Sequence, residues 1–302
     1  MGRRRHADLA ARAAPARAVT VEEAVAGDAP PAVALMRVML AGHPAAEVVA
    51  QLRALRAARP GPRTEALAAL AEEAQDGLAM LERMVAAGAD HAEAADAAAG
   101  VAGAQAMFDR LARLSPEASV AAYSLGDPAR LRAATGEVVD WLDGCGLLAG
   151  RPRVLDLGCG IGRLSAAVAP AASLVVGIDV SAEMARLAAR RCAGLPGVAI
   201  LRGGGHDLAM LRDGAFDLVL AVDVFPYLVQ ASPDLAARHL AEAARVLRPG
   251  GSLALMNYSY RGAEADRREM PRHARTAGFA LLRNGETPFA TWDGAAFWLR
   301  RA

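Results

Sequence analysis

Two hydrophobic periods divide this chain near residue 150. From Pro30 to about Leu114, apolar residues recur every three or four positions. They are Val33, Leu35, Met36, Met39 and Leu40, then Val48, Val49, Leu52 and Leu55, then Leu67, Leu70, Leu78, Leu81, Met84 and Val85, with a further run from Ala89 to Leu114. That spacing predicts amphipathic helices, and Arg59–Pro60–Gly61–Pro62 stops one of them. Aromatic and β-branched residues are sparse here, so close packing through alanine is expected, with Met36, Met39, Met80 and Met84 as core filler. Asp127–Pro128 opens another helix, lined by Leu131, Val138, Val139, Trp141 and Leu142 and ended by Gly144, Gly146 and Gly150.

Beyond residue 150 short apolar runs alternate with helical stretches. The reading is strand 153–157, helix 161–169, strand 173–179, helix 181–192, strand 197–202, strand 216–222, helix 234–247, strand 251–258, helix 262–277, strand 279–284 and strand 292–299. Buried strands alternating with helices predict an α/β fold with a parallel sheet covered on both faces. Four segments follow: an Ala/Arg-rich disordered tail over 1–27, a helical bundle or cap over 28–114, a connecting helix over 115–150, and the sheet domain over 151–302.

Composition narrows the chemistry. The 302 residues are 54% hydrophobic and carry a formal net charge of +1, so no strong field favours nucleic acid or a membrane surface. All 34 basic residues are arginine, which excludes a lysine base or Schiff base. Cys145, Cys159 and Cys192 have no metal-ligand or CxxC spacing, so no metal is expected, and scattered thiols fit a cytoplasmic location. No run of 18 apolar residues marks a membrane span. The basic start, MGRRRHADLAARAAPARA, reads as a tail because no apolar signal core follows it.

The segment Val154–Ser165, VLDLGCGIGRLS, is a buried strand entering a turn with Gly158, Gly160 and Gly162 and then a helix. Such glycines let a ligand approach the main chain. Asp156 precedes the first glycine by two positions, and a second strand ends at Asp179, 21 residues after Gly158, where nucleotide-type folds place a ribose-binding acid. A branched residue at Gly160 is expected to block the ligand and spare the fold. Ser181, with Glu183 in the first turn, reads as a helix N-cap.

From about Arg153 to Arg300 these residues resemble the class I S-adenosylmethionine (SAM) methyltransferase family. The match rests on the glycine loop, Asp156, Asp179, the run Gly214–Val222 (GAFDLVLAV) and the run Arg245–Gly251 (RVLRPGG). The resemblance implies a seven-stranded, Rossmann-like, doubly wound sheet with an antiparallel last strand, beside an all-helical cap. The final two strands would form its antiparallel edge. It also implies SAM as cofactor, held by Asp156 at the amino-acid end, by Gly158, Cys159, Gly160 and Gly162, and by Asp179 on the ribose, with Val180, Met184 and Asp223 alongside. After the third strand the family often carries an acid for adenine. Here LRGGGHDL stands instead, which leaves Gly205, His206 and Asp207 as ligands or the glycines as a flexible loop.

Ligands in such sheets sit beyond the carboxyl ends of the strands. Tyr227, Tyr258 and His206 are the catalytic candidates, and Tyr123, Phe225, Tyr227, Asn257, Tyr258 and Tyr260 the substrate-facing ones. Tyr123 either closes over the methionine end of SAM or wedges between domains. A phenol donates hydrogen bonds well and is a poor base, so the pocket is read as one that orients an acceptor. His239 and His273 fall on helices and are expected to be solvated. The expected activity is methyl transfer to a small-molecule acceptor. The alternative is a SAM enzyme that displaces within SAM and releases methylthioadenosine; a non-catalytic SAM-binding protein stands further off. The nucleic-acid motif of the family is absent at Asp223–Val224–Phe225–Pro226–Tyr227, so nucleic acid is not an expected partner, nor is a membrane. The alanine-rich helices can pack within one chain or between two copies as a homodimer. The bundle is expected to cover the SAM pocket.

Overall fold

The computed structural model describes residues 19–89 and 95–302. The helical part runs α1 (Val21–Ala26), α2 (Pro31–Leu40), α3 (Ala45–Ala58), α4 (Pro62–Glu73), α5 (Gln75–Ala86), α6 (Ala97–Leu114) and α7 (Pro116–Val120), then a short 3-10 turn and α8 (Pro128–Gly144). The sheet part runs β1 (Arg153–Leu157), α9 (Arg163–Val168), β2 (Leu174–Asp179), α10 (Ala182–Arg191), β3 (Val198–Arg202), β4 (Phe216–Val222), α11 (Phe225–Ala231), α12 (Pro233–Val246), β5 (Leu247–Met256), α13 (Ala263–Thr276), β6 (Phe279–Glu286) and β7 (Ala296–Arg301).

The strands pair in the order β3-β2-β1-β4-β5-β7-β6, with β7 antiparallel to both of its neighbours. The expected antiparallel element is present: the last strand is antiparallel and the final two strands form the end of the sheet, β7 inside and β6 at the edge. Alternation along the central strands sends Val154, Val175, Leu218 and Leu220 to one face, under Leu131, Val138 and Leu142 of α8 and Leu164 of α9. Leu155, Val176, Val219 and Leu253 go to the other, under Leu235 and Leu240 of α12 and Met270 of α13. Both faces are therefore apolar, as a covered parallel sheet requires.

The bundle has its own core of Leu35, Val38, Met39, Leu52, Leu67, Leu78 and Leu81. Several expectations change here. The tail reading extended to residue 27, but Val21–Ala26 is helical, because Thr20 and Glu23 cap each other's backbone amides and Val21 and Ala24 are buried; residues 1–18 lie outside the described residues. The helix α11 was not foreseen. His239 is also buried rather than solvated, its Nδ1 3.0 Å from the carbonyl of Leu235, and His273 is half-buried against the ring of Tyr258.

Through α6 the bundle packs on α10 and α11 of the sheet domain. Asp109 on α6 accepts from Ser181 Oγ at 2.5 Å and from the amide of Glu183 at 3.0 Å. Ser181 Oγ itself accepts from the amide of Met184 at 3.1 Å. One bundle carboxylate thus completes the N-terminal cap of α10, where negative charge is favoured. Asp109→Ala is expected to cost about 1–2 kcal/mol, the range for a lost cap, read as a lower urea midpoint. Asp109→Asn, which keeps an acceptor, should lose less than half of that. Equal losses would mean that only the charge matters.

Candidate active site

The chain reverses its winding at β1, whose neighbours are β2 on one side and β4 on the other. The crevice beyond their carboxyl ends is the binding position of open α/β sheets. Gly158, Gly160 and Gly162 all adopt left-handed φ there, at 69°, 53° and 73°. The loop is fastened from β2. Asp179 Oδ2 accepts from the amide of Gly160 at 2.8 Å, and Oδ1 from the amide of Ser181 at 2.9 Å. Burial lifts the Asp179 carboxyl to about 6, partly offset by those amides. Each oxygen retains a lone pair for a further donor.

Asp156 behaves differently from the role implied by resemblance. Its Oδ2 accepts from Ser165 Oγ at 2.6 Å, it is fully buried, and burial raises its pKa. It therefore pins α9 to β1 rather than facing the crevice. Cys159 is buried, and burial pushes its thiol well up, so it is not a nucleophile. Met184 is a core residue beneath α10, and Val180 is half-buried beside Gly205. His206 is exposed. Asp207 is exposed too, and its Oδ1 accepts from the amide of Ala209 at 3.1 Å.

At the ends of β4 and β5 stand the two left-handed residues Asp223 (φ 56°) and Asn257 (φ 58°). Asn257 Nδ2 donates to Asp223 Oδ1 at 2.7 Å, and Asn257 Oδ1 accepts from the amide of Ala295 at 2.9 Å. Burial raises Asp223 to about 6, against the opposing effects of Asn257 and of the Arg163 guanidinium. Non-glycine residues held at positive φ concentrate at functional sites. Tyr227 and Tyr260 are hydrogen-bonded to each other, and Phe108 of α6 meets Tyr227 edge-on at 4.9 Å. Tyr123 stacks on Trp292 at 5.5 Å, and Trp292 on Phe289 at 4.8 Å. Tyr123 OH and Trp292 Nε1 are buried without a hydrogen-bond partner. Burial lifts Tyr123, Tyr227 and Tyr258 to about 12 and holds Tyr260 well above the ordinary phenol value, so all four phenols are donors at neutral pH. Tyr258 and Phe225 stack on each other in the core that also holds Met270 of α13, outside this cluster; they are packing residues.

Sequence reasoning missed the groups that come from elsewhere. Val120 of α7 stands over Gly160, and Val101 of α6 over Gly205; a Cβ on either glycine would lie 2.7 Å from the valine methyl. Arg163 is buried and donates to Thr135 Oγ1 at 3.1 Å. Its position directly after Gly162 was the available signal. The amides of Gly158, Gly160 and Gly162 are bonded within the protein, so what the loop offers is close backbone approach, beside the unused acceptor lone pairs of Asp179 at the end of β2, which suit a vicinal diol.

Residues 155–255 match the family described as "Methyltransferase domain". An uncharacterised methyltransferase of Mycobacterium tuberculosis is 36% identical over 143 residues, which are 47% of this chain and 51% of that protein. The ubiquinone biosynthesis O-methyltransferase of Aromatoleum aromaticum is 37% identical over 117 residues, 38% of this chain and 47% of that one. The chain thus spans about half the length of these curated relatives. Among solved structures, magnesium protoporphyrin IX methyltransferase from Synechocystis with bound SAM aligns with a TM-score of 0.45 at 25% identity, covering 58% of this chain and 81% of that one. The glycine loop and Asp179, seated where β1 meets β2 and β4, lie within the segment of the sheet domain that carries this similarity to the methyltransferase domain.

Proposed function

We propose that this protein transfers the methyl group of SAM to a small-molecule acceptor. The observation that carries the reading is the anchoring of Gly160 by the carboxylate of Asp179 at the reversal point of the sheet. Gly158–Gly162 would take the amino-acid and ribose portions, and Asp179 the ribose hydroxyls. SAM supplies a methyl group on a positively charged sulfur, so the leaving group needs no activation. The protein's task is to align the acceptor and keep water out, and alignment alone is worth roughly 7–11 kcal/mol. The bundle serves as the cover, because Val101, Asp109 and Val120 all contact the cofactor-binding turns. A covered crevice favours a small acceptor over a macromolecular one. The family match and the relatives named as methyltransferases favour methyl transfer over internal displacement within SAM.

The ionisation of Asp179 gives the first test. Ribose hydroxyls donate to its carboxylate form, so SAM should bind more tightly as pH rises from 5 to 7.5. The free protein has the opposite sign. A carboxyl raised from its ordinary 3.8 to about 6 contributes stability that is fully present below 3.8 and is lost as pH rises through 6. Asp179→Asn should weaken SAM at pH 7.5 by about tenfold or more, as loss of charged hydrogen bonds implies, and should flatten the pH dependence seen by calorimetry. A retained slope would assign it to another group.

The contact over the loop gives the second. A branched residue at Gly160 would not spare the fold, as the sequence suggested, because the added Cβ meets Val120 before any ligand arrives. Gly160→Ala should cost roughly 1–3 kcal/mol through overpacking. Val120→Ala in the same chain should return part of that, with a coupling of more than about 0.5 kcal/mol. SAM affinity should stay low in both variants. Strictly additive effects would show that the two residues do not touch.

A further inference from the structure

The chain is only 4% aromatic and has four tyrosines in all. Three of them, Tyr123, Tyr227 and Tyr260, stand with Phe108, Phe289 and Trp292 in two ring clusters within electrostatic reach of Asp223. Phe108, Tyr227 and Tyr260 meet edge to face, and Tyr123, Trp292 and Phe289 stack within about 20° of parallel. Each cluster has a wall from the bundle side, Phe108 or Tyr123, and a wall from the sheet domain. Tyr260 is half exposed, which gives the first cluster an opening to solvent.

Asp223 is in electrostatic contact with both clusters, acting on Tyr123 in one and on Tyr227 and Tyr260 in the other. The Asn257 amide holds its Oδ1, and the amide of Asp223 donates to the carbonyl of Met256 at 3.0 Å. Among the described residues Oδ2 has no hydrogen-bond partner. The two orphaned donors, Tyr123 OH and Trp292 Nε1, lie in the neighbouring stack and are free to bond a polar group that reaches them.

On the reading of this domain as a SAM-dependent methyltransferase, we propose that the acceptor is a planar phenol seated between the two ring clusters, and that Asp223 takes the proton from its hydroxyl. The proton passes to Oδ2. The phenolic oxygen keeps the electron pair that forms the bond to the transferred methyl carbon, while that carbon's bond to sulfur breaks and its pair stays on sulfur. Aromatic walls suit a flat ring through stacking and edge contacts, and they give a saturated ring no such gain. The other ionisable groups facing Asp223 do not compete for the proton. Tyr123, Tyr227 and Tyr260 hold their own protons, Arg163 is a fixed cation that favours the ionised carboxylate, and Asp293 pairs with Arg37 of α2. The raised ionisation of Asp223, near 6, suits a base that works close to neutrality.

The test uses the full chain, with phenol, catechol and cyclohexanol as probes. Calorimetry should show phenol and catechol binding at least tenfold more tightly than cyclohexanol, without SAM as well as with it. Their affinity should fall several-fold as pH drops from 7.5 to 5. Asp223→Asn should abolish that pH dependence, leave SAM affinity within about threefold, and lower catechol turnover by about a hundredfold or more, the range for a lost general base. Three results would overturn the proposal: equal binding of cyclohexanol and phenol, no binding of either phenol, or an Asp223→Asn protein that keeps its turnover and acid limb. Loss of SAM binding in Asp223→Asn would also overturn it, by assigning Asp223 to the cofactor. Failure of the underlying methyltransferase reading looks different: the wild-type chain would bind phenols and not SAM, and the proton-transfer step would fall with it.

Discussion

The carboxylate of Asp179 holds this structure's chemistry together. With one oxygen on the amide of Gly160 and the other on that of Ser181, it fixes two strand-to-helix turns relative to each other. Its environment makes that possible at a cost, since burial disfavours the charge that the amides reward. Asp109 extends the arrangement into the bundle through Ser181 Oγ. A single line of hydrogen bonds therefore runs from α6, through the cap of α10, to the glycine loop. Glycine loop and helical bundle are mechanically one unit, although they are built by distant parts of the sequence.

Much of the sheet domain was legible from residue pattern. The boundaries of β1 and β4 agree with the expected 153–157 and 216–222, because both are central strands buried on both faces, which gives an uninterrupted apolar run. The edges blurred where the burial signal weakens. β7 begins at Ala296 rather than 292, since Trp292 is buried in the loop against Tyr123 and Phe289, and burial alone does not separate a strand from a packed turn. The helix α11 was hidden by Pro226, which reads as a turn residue but here occupies the first turn of a helix, where its missing amide costs nothing.

The site was legible only in the half that the strands supply. Helical period shows which face of α6 or α7 is buried, not which surface it is buried against. Val120 therefore carried no mark of its contact with Gly160, nor Val101 of its contact with Gly205, nor Asp109 of its place at the cap of α10. Local pattern also failed to tell Tyr258 from Tyr260. Two residues apart, they take opposite fates, one stacked on Phe225 in the core and the other half open beside Tyr227. His206 looked like the nearest base because it follows β3, but its loop leaves it in solvent. The buried carboxylate at the end of β4 is Asp223, whose partner Asn257 lies 34 residues later.

The insertion of β7 between β5 and β6 has a consequence for how the chain folds. β6 has no neighbour other than β7, and β5 would end the parallel sheet without it. Until residues 296–301 are in place, the sheet offers an open edge at β5, with Leu253, Leu255 and Met256 beside unpaired amides. Exposed apolar edges of that kind recruit other chains. During synthesis the sheet domain is therefore vulnerable to association until its latest strand arrives. That strand closes the edge through Leu299 and Phe297, opposite Leu253 and Leu255, so losses of soluble protein are expected to arise before β7 has paired rather than from the finished fold.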